Sequence, residues 1–198
     1  MPDSSDFFIL SIVTHDSRAI AKSVVDLKIV SEVLGRHFVL NVQSGTGITN
    51  ARTKCLKAIK DQFPDEDMAY TFWLDSDIIL NESPRNIAEY VREAERLGVS
   101  FTGNYRIIDN VTNKKWNVVA PSLTSSAHYT DEQLAAAKPF ELRCAFSGLG
   151  LCYMKMPLDY RFRQEGQELE DFFFFKDNPD MNLRYVPISN YHMKSVPL

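Results

Sequence analysis

The chain has 198 residues, 44% of them hydrophobic and 24% charged, which is the composition of a globular protein with a packed core. Its formal net charge of −4 lacks the basic surplus of nucleic-acid-binding proteins, so no nucleic-acid partner is expected. Cys55, Cys144 and Cys152 have no CxxC spacing, which predicts neither a disulfide framework nor a thiolate zinc site.

The N-terminal stretch MPDSSDFFIL has no basic segment before its short apolar run. This pattern does not predict a secretory signal. No window approaches about 18 consecutive apolar residues, the length that a membrane-spanning helix needs. We therefore expect a cytoplasmic protein with no membrane-spanning segment.

Predicted strands alternate with predicted helices through the first half of the chain. The strand segments are short and apolar, as expected for strands buried on both faces. The alternation is typical of an α/β fold with a mostly parallel sheet flanked by helices. The predicted strands are FFILSIVT (7–14), HFVLNVQ (37–43), YTFWLDSDIIL (70–80) and VSFTGNYR (99–106).

The three helices between these strands are predicted from their caps and apolar stripes. Asp16 or Ser17 is expected to cap the first helix, and Thr49 the second, since short polar side chains satisfy the free N–H groups there. Ser83 followed by Pro84 predicts the start of the third helix, because proline is well tolerated in the first turn.

The second half of the chain is less regular. KWNVVAPS, ELRCAF and GLGLCYMKM predict short strands, and NLRYVPI predicts a last one. LEDFFFFKD predicts a helix too apolar to lie on the surface. Because no repeat or flexible linker divides the chain, we expect one mixed α/β domain over residues 1–198.

Two acids end the third predicted strand. Since side chains alternate along a strand, Asp75 and Asp77 are expected on one face and Ser76 on the other. Two neighbouring carboxylates are tolerated at the carboxyl end of a strand if a divalent cation neutralises them. Oxygen ligands suit Mg²⁺ or Mn²⁺, which also bind substrate phosphates. A simple aspartate turn before the third helix is the alternative.

Four segments in this order resemble those of the GT-A glycosyltransferases, close to the family-2 type: LDSD (74–77), FSGLGLCYMK (146–155), LEDFFFFKD (169–177) and RYVPISNYH (184–192). These enzymes move a sugar from a nucleotide diphosphate to an acceptor. The resemblance implies a Rossmann-like fold with a nucleotide-binding half at 1–106 and an acceptor and catalytic half at 107–198. The implied partners are a nucleotide sugar and a glycan, protein or lipid acceptor.

The small size of the chain also resembles that of a short family member encoded by an icosahedral archaeal virus. In that case the cytoplasm would be that of the host cell.

The resemblance assigns the metal to the paired acids and a histidine. It implies that Asp77 binds Mn²⁺ or Mg²⁺ at the donor diphosphate, while Asp75 contacts the ribose or completes the metal shell. His192 matches a metal-binding histidine of the family, and neutral imidazole binds Mn²⁺ acceptably. A bound cation would stabilise the charge that develops on the departing nucleotide diphosphate.

Further positions are implied to contact the donor. Arg52 would pair with phosphate or brace Asp75, and a surface ion pair is the alternative. Gly148 lies in a small-residue loop beside the donor sugar, where glycine lets a ligand approach the backbone; an ordinary bend is the alternative. The other positions implied to bind the donor are Thr14, His15, Asp16 and Ser76.

The LEDF segment supplies the second acidic element. By resemblance Asp171 is the general base in an inverting reaction, with Glu170 as the second candidate. A hydroxyl is a weak nucleophile at neutral pH, so a carboxylate within hydrogen-bond reach must take its proton. An acid favoured by the dipole at the start of a helix is the alternative. The acceptor is expected along residues 104–140, which are rich in aromatic residues.

Two other classes of function stay open. Phosphatases of the haloacid-dehalogenase type also place DxD at the end of a strand, and they use the first aspartate as nucleophile. Their motif normally lies near the N-terminus and continues with Thr or Val where this chain has Ile79. The second class is a protein that binds a nucleotide sugar without transferring it.

Overall fold

The computed structural model describes residues 3–14, 21–44, 47–108, 115–123, 128–165 and 169–192. A short 3-10 turn at Ser4–Asp6 precedes the first strand. The helices are α1 (Ala21–Leu34), α2 (Ile48–Gln62), α3 (Pro84–Leu97), α4 (Asp131–Ala136) and α5 (Glu170–Asp177). The strands are β1 (Phe7–Thr14), β2 (His37–Ser44), β3 (Met68–Asp75), β4 (Ile78–Leu80), β5 (Ser100–Thr102), β6 (Arg106–Ile108), β7 (Lys115–Asn117), β8 (Arg143–Cys144), β9 (Leu151–Pro157), β10 (Leu183–Tyr185) and β11 (Asn190–His192).

A seven-stranded sheet in the order β2-β1-β3-β9-β5-β10-β8 forms the centre. β1 pairs in parallel with β2 and β3, and β5 pairs in parallel with β10. β9 is antiparallel to β3 and β5, and β8 is antiparallel to β10. Only β8 and β9 therefore run against the common direction of this sheet. With α1 and α2 packed on β1 and β2, and α3 on α1 and β5, the expected mixed, mostly parallel α/β sheet is confirmed.

The two halves of the chain share this sheet. β9 comes from the second half but lies between β3 and β5 of the first half. One hydrophobic core runs through both halves. Two small antiparallel sheets complete the fold, β4 with β11 and β6 with β7. The β4–β11 pair brings the residues after LDSD to the C-terminal segment NYH.

The third helix begins and ends as its sequence predicts. The Ser83 hydroxyl accepts a hydrogen bond from the Asn86 amide, and Pro84 is the first helical residue. Gly98 ends α3 in the left-handed region at φ 65°. Glycine reaches that conformation without steric cost, so it is a favoured helix stop.

The predictions for the other helices agree less well with the structure. α2 begins at Ile48 after Gly47, and Thr49 lies inside the helix, so the predicted Thr49 cap is wrong. The predicted caps of the first helix, Asp16 and Ser17, lie outside the described residues. α4 was missed, although the Thr130 side chain and that of Gln133 form a capping box, which is a sequence-level signal.

Two predicted strands are each divided in the structure. The 70–80 segment forms β3 and β4 with a turn at Ser76 and Asp77 between them. The 99–106 segment forms β5, ends at Thr102, and resumes in β6. Gly103 lies in close packing at this break, since a Cβ atom there would lie 2.6 Å from Leu151 Cδ2. β11 was not predicted.

Cys55, Cys144 and Cys152 are buried free thiols. In the described part of the chain, no helix is long and apolar enough to cross a membrane.

Candidate active site

The candidate site lies at the carboxyl edge of β1, β2 and β3. Val13 is opposite Asp75 and Thr14 is opposite Ser44, so these strand ends meet at one edge. Open α/β sheets bind ligands at this edge, because loops and helix N-termini converge there. Thr14 is buried within it.

Arg52 of α2 joins the two acidic elements. Its Nη2 donates to Asp75 Oδ1 at 3.1 Å, and its Nε donates to Glu170 Oε1 at 3.1 Å. Its Nη1 donates to the carbonyl of Leu149 at 3.4 Å. Arg52 is only 2% exposed, so the surface ion pair considered above is wrong. Buried charges of this kind require such partners, since desolvation is costly.

Strand periodicity explains how one arginine reaches its partners. Trp73 and Asp75 are two residues apart on β3 and so project to the same face. The Arg52 guanidinium carbon lies 5.4 Å from the centre of the Trp73 ring, within cation–π range. Arg52 is therefore held by an aromatic face as well as by two carboxylates.

Asp75 and Asp77 do not share a face through strand alternation, which corrects that prediction. Asp75 ends β3, whereas Ser76 and Asp77 form the following turn. The Asp75 carboxylate accepts a hydrogen bond from Arg52. The Asp77 carboxylate faces His192, with 3.1 Å between Asp77 Oδ2 and His192 Nε2. Because the chain turns immediately after β3, the two carboxylates lie near each other but have different partners.

The β4–β11 ladder places His192 beside Asp77. His192 is the register partner of Ile78, the residue after Asp77. Its Nδ1 lies 3.0 Å from the carbonyl oxygen of Arg106. The Asp77 carboxylate raises the pKa of His192, because hydrogen bonding and opposite charge favour the imidazolium.

The loop before β9 is pressed against the site. The Asp75 amide donates to the carbonyl of Gly150 at 2.8 Å. A Cβ on Gly150 would lie 2.3 Å from Asp75 Oδ2, and one on Gly148 would lie 2.3 Å from the hydroxyl oxygen of Tyr105. Side chains of this chain therefore already occupy the space that both glycines leave open.

α5 presents two acids in different environments. Glu170 is 4% exposed and bound to Arg52, whereas Asp171 is partly buried and its Oδ1 accepts from the Phe172 amide at 2.8 Å. Burial, reinforced by the charge of Glu170, raises the pKa of Asp171 from 3.8 to about 7. A carboxyl group with this pKa is suited to proton transfer at neutral pH.

Negative charge exceeds positive charge in this cluster. Burial raises the pKa of Asp75, with the charges of Asp77 and Glu170 adding to the effect and Arg52 opposing it. Arg52 faces both Asp75 and Glu170, and its charge also lowers the pKa of Asp171. One guanidinium therefore serves several carboxyl groups.

The donor set is compatible with a divalent cation. Asp77 and His192 are adjacent and partly exposed, and they offer a carboxylate oxygen and an imidazole nitrogen. Over the described ranges, no three acidic, histidine or cysteine side chains are already gathered to hold a metal. Mg²⁺ and Mn²⁺ commonly take one or two protein ligands and complete their shell with water and substrate phosphates. Asp77 and His192 fit that pattern.

Several predicted site residues thus meet at one edge, namely Thr14, Arg52, Asp75, Ser76, Asp77, Gly148, Glu170, Asp171 and His192. The predictions for His15 and Asp16 lie outside the described residues. Tyr105 was missed as a site residue, since it was placed only in the acceptor segment. The Gly-x-Gly spacing of FSGLGL was a usable signal, because such glycines often mark the close approach of another group.

Comparison with solved structures finds the crystal structure of a glycosyltransferase involved in the glycosylation of the major capsid of PBCV-1. The two chains share 12% identity and a TM-score of 0.44 over 90% of this chain and 81% of that one. No family model and no curated protein matches this chain.

Proposed function

We propose that this protein is a metal-dependent glycosyltransferase that moves a sugar from a nucleotide diphosphate to an acceptor hydroxyl with inversion. The sequence segments that resemble the GT-A glycosyltransferases support this proposal. So does the way in which the fold brings those segments together.

The observation that carries the proposal is the link between the two acidic elements. Asp75 follows the central strand and Glu170 begins α5, yet both carboxylates are 3.1 Å from the same Arg52 guanidinium. The acids on the donor side and the candidate base must be close to each other for glycosyl transfer. The Arg52 bridge supports that pairing.

In this mechanism Asp171 takes the proton of the acceptor hydroxyl as its oxygen attacks the anomeric carbon. The bond from that carbon to the diphosphate oxygen breaks on the opposite side, and the nucleoside diphosphate leaves. Asp171 is better suited to this role than Glu170, whose carboxylate is buried against Arg52. Positioned proton transfer typically contributes about 10²–10⁴-fold to a rate.

Asp77 and His192 would hold the metal, with Asp75 beside them at the donor. The metal, when bound, would neutralise the charge of the leaving diphosphate. Arg52 acts as a positioning residue, since its three nitrogens are engaged by Asp75, Glu170 and the Leu149 carbonyl. It would fix the donor-side acid relative to the base.

The phosphatase alternative is disfavoured by the surroundings of Asp75. A nucleophilic aspartate needs a free carboxylate oxygen, whereas Asp75 Oδ1 accepts from Arg52 and Oδ2 lies against Gly150. The alternative of binding without transfer has no specific observation in its favour, and the assay below separates it.

The test is a transfer assay with a panel of nucleotide sugars and mixed acceptors, with and without Mn²⁺. The expected result is release of nucleoside diphosphate, dependent on Mn²⁺ and on added acceptor. Binding of a nucleotide sugar without release across the panel would favour the binding protein. Rapid phosphate release from phosphomonoesters, without sugar-nucleotide turnover, would favour the phosphatase.

A further inference from the structure

Tyr105 forms one wall of the candidate site, where both its backbone and its ring contact neighbouring residues. It is 7% exposed and lies between β5 and β6. Its carbonyl accepts from the Val118 amide at 3.2 Å, and the preceding carbonyl of Asn104 accepts from the Asn190 side chain at 2.7 Å. The Tyr105 ring packs against that of His192, with 5.1 Å between centroids. The hydroxyl is therefore pre-positioned by its backbone and by its neighbours.

The Tyr105 hydroxyl uses only its acceptor side. The Gly150 amide donates to it at 3.3 Å. A tyrosine hydroxyl also has one proton to donate. Within the part of the chain that the structure describes, that proton has no hydrogen-bond acceptor. A buried donor without a partner is costly, so such a group commonly meets a ligand or water.

The hydroxyl also lies at the acidic edge. The position of a Cβ on Gly150 would be 2.7 Å from the Tyr105 hydroxyl oxygen and 2.3 Å from Asp75 Oδ2. Gly148 and Gly150 do not have left-handed backbone angles. Glycine is needed at these positions because a Cβ atom would collide with Tyr105 or Asp75. The loop is shaped to admit this hydroxyl next to Asp75.

The donor groups of Arg52 and His192 at this edge are already engaged. Each nitrogen of Arg52 has an acceptor, and both ring nitrogens of His192 face protein oxygens. A ligand that is rich in oxygen acceptors would meet mostly carboxylates here. The free proton of Tyr105 is a group that complements such a ligand.

We propose that the Tyr105 hydroxyl donates a hydrogen bond to an oxygen of the sugar diphosphate of the bound donor substrate. This inference rests on the proposed function and adds a donor-binding residue to it. Tyr105 would orient the donor beside Asp75, while Asp171 takes the proton of the acceptor.

The test is Tyr105→Phe, which removes the hydroxyl and keeps the ring. The matched control is Tyr160→Phe, because the Tyr160 hydroxyl donates to Asp177 at the far end of α5. We expect kcat/KM to fall about 10-fold or more in Tyr105→Phe, as for loss of one hydrogen bond to a charged or strongly polar acceptor. The control should keep wild-type kcat/KM.

Binding measurements identify the oxygen. Calorimetry in Mn²⁺ would compare UDP, GDP, UDP-glucose and GDP-mannose on the wild type and on Tyr105→Phe. Weaker binding of the nucleoside diphosphate itself would place the bond on a phosphate oxygen. Weaker binding of the sugar nucleotide alone would place it on a sugar oxygen. Either outcome supports the inference.

A purely structural role has a different signature. It would lower the Tm of Tyr105→Phe without changing kcat/KM or donor affinity measured well below that Tm, and this result would overturn the inference. Gly148→Ala is the second variant. The added Cβ would displace the Tyr105 hydroxyl, which the chain would still carry. It should show the same loss of kcat/KM.

The outcome for the wild type separates the two proposals. A wild type that transfers sugar, with an equally active Tyr105→Phe, would refute the role of Tyr105 alone. A wild type that neither binds nor turns over any nucleotide sugar would refute the proposed function and this inference with it.

Discussion

Two arginine clusters lie at opposite edges of the sheet, and they differ in charge balance. At the amino edge, Arg36 Nη1 and Nη2 donate to the two carboxylate oxygens of Glu95 at 2.6 and 2.7 Å. The Tyr153 hydroxyl donates to the same carboxylate at 2.5 Å. At the carboxyl edge, Arg52 is shared between Asp75 and Glu170.

The two clusters differ in whether their charges balance. Arg36 and Glu95 neutralise each other in a bidentate pair, which ties the start of β2 to α3 and needs nothing more. The Arg52 cluster has surplus negative charge and a carboxyl group, Asp171, whose pKa is raised to about 7. Such perturbed groups concentrate at functional sites, because catalysis needs them and stability alone does not.

The largest difference between the two clusters is expected in catalysis. Asp171→Asn keeps the shape of the side chain but cannot take a proton, so kcat should fall about 10²–10⁴-fold. Binding of the nucleoside diphosphate should be unchanged within about twofold, since the proposed base contacts the acceptor. Steady-state kinetics and calorimetry measure the two quantities.

The matched control at the amino edge is Glu95→Gln, which should keep the wild-type kcat. The comparison fails if Asp171→Asn retains most of its activity, or if Glu95→Gln loses as much.

The next effect is on stability. Arg52→Met leaves the buried Glu170 and the partly buried Asp75 without a cation, which should cost about 3–5 kcal/mol of unfolding free energy. Arg36→Met breaks a pair that is partly open to solvent, where loss of about 1 kcal/mol is typical. Urea unfolding at neutral pH would measure both. Equal losses of unfolding free energy in the two variants would show that the Arg52 cluster depends on its cation no more than the Arg36 pair does.

A smaller effect is expected from filling the space beside Asp75. Gly150→Ala would place a Cβ 2.3 Å from Asp75 Oδ2, and the required shift should cost about 1–3 kcal/mol and displace the carboxylate. Transfer activity should therefore fall as well. The control is Gly98→Ala after α3, where left-handed backbone strain costs about 1–2 kcal/mol but activity should stay unchanged. An unaffected transfer rate in Gly150→Ala would contradict the role of this loop.

The smallest effect is a shift in the pH profile. The base must be ionised, so kcat/KM should rise with pH up to about 7, the pKa of Asp171, and then level off. Because the charge of Glu170 raises that pKa, Glu170→Gln should move the rising limb to lower pH, whereas Glu95→Gln should leave it in place. A limb that stays fixed in Glu170→Gln would argue against Asp171 as the base.

Stability should change in the opposite direction to activity. The folded chain retains a proton on Asp171 that the unfolded chain loses, so this group lowers stability as pH rises from 3.8 to about 7. Asp171→Asn should remove that part of the pH dependence, which thermal unfolding at several pH values would detect.

Local features of the fold were predictable, and long-range ones less so. The α3 boundaries follow from Ser83, Pro84 and Gly98, since caps act within one turn. The turn at Ser76 and Asp77 was misjudged as strand, because the apolar run IIL continues the pattern on its other side. β11 was missed because a three-residue strand has too little pattern of its own and depends on β4 for its hydrogen bonds.

The alternation of strands and helices, the acids at the end of β3 and the apolar helix α5 could all be predicted from local sequence. Each depends on propensity and periodicity within a short window. The tertiary structure brings Arg52 to both Asp75 and Glu170, although Arg52 and Glu170 are 118 positions apart in the chain. It likewise decided that His192 meets Asp77 and that Tyr105 lies over the glycine loop. Those contacts depend on which strands become neighbours, and that is set by burial of one core shared by the whole chain.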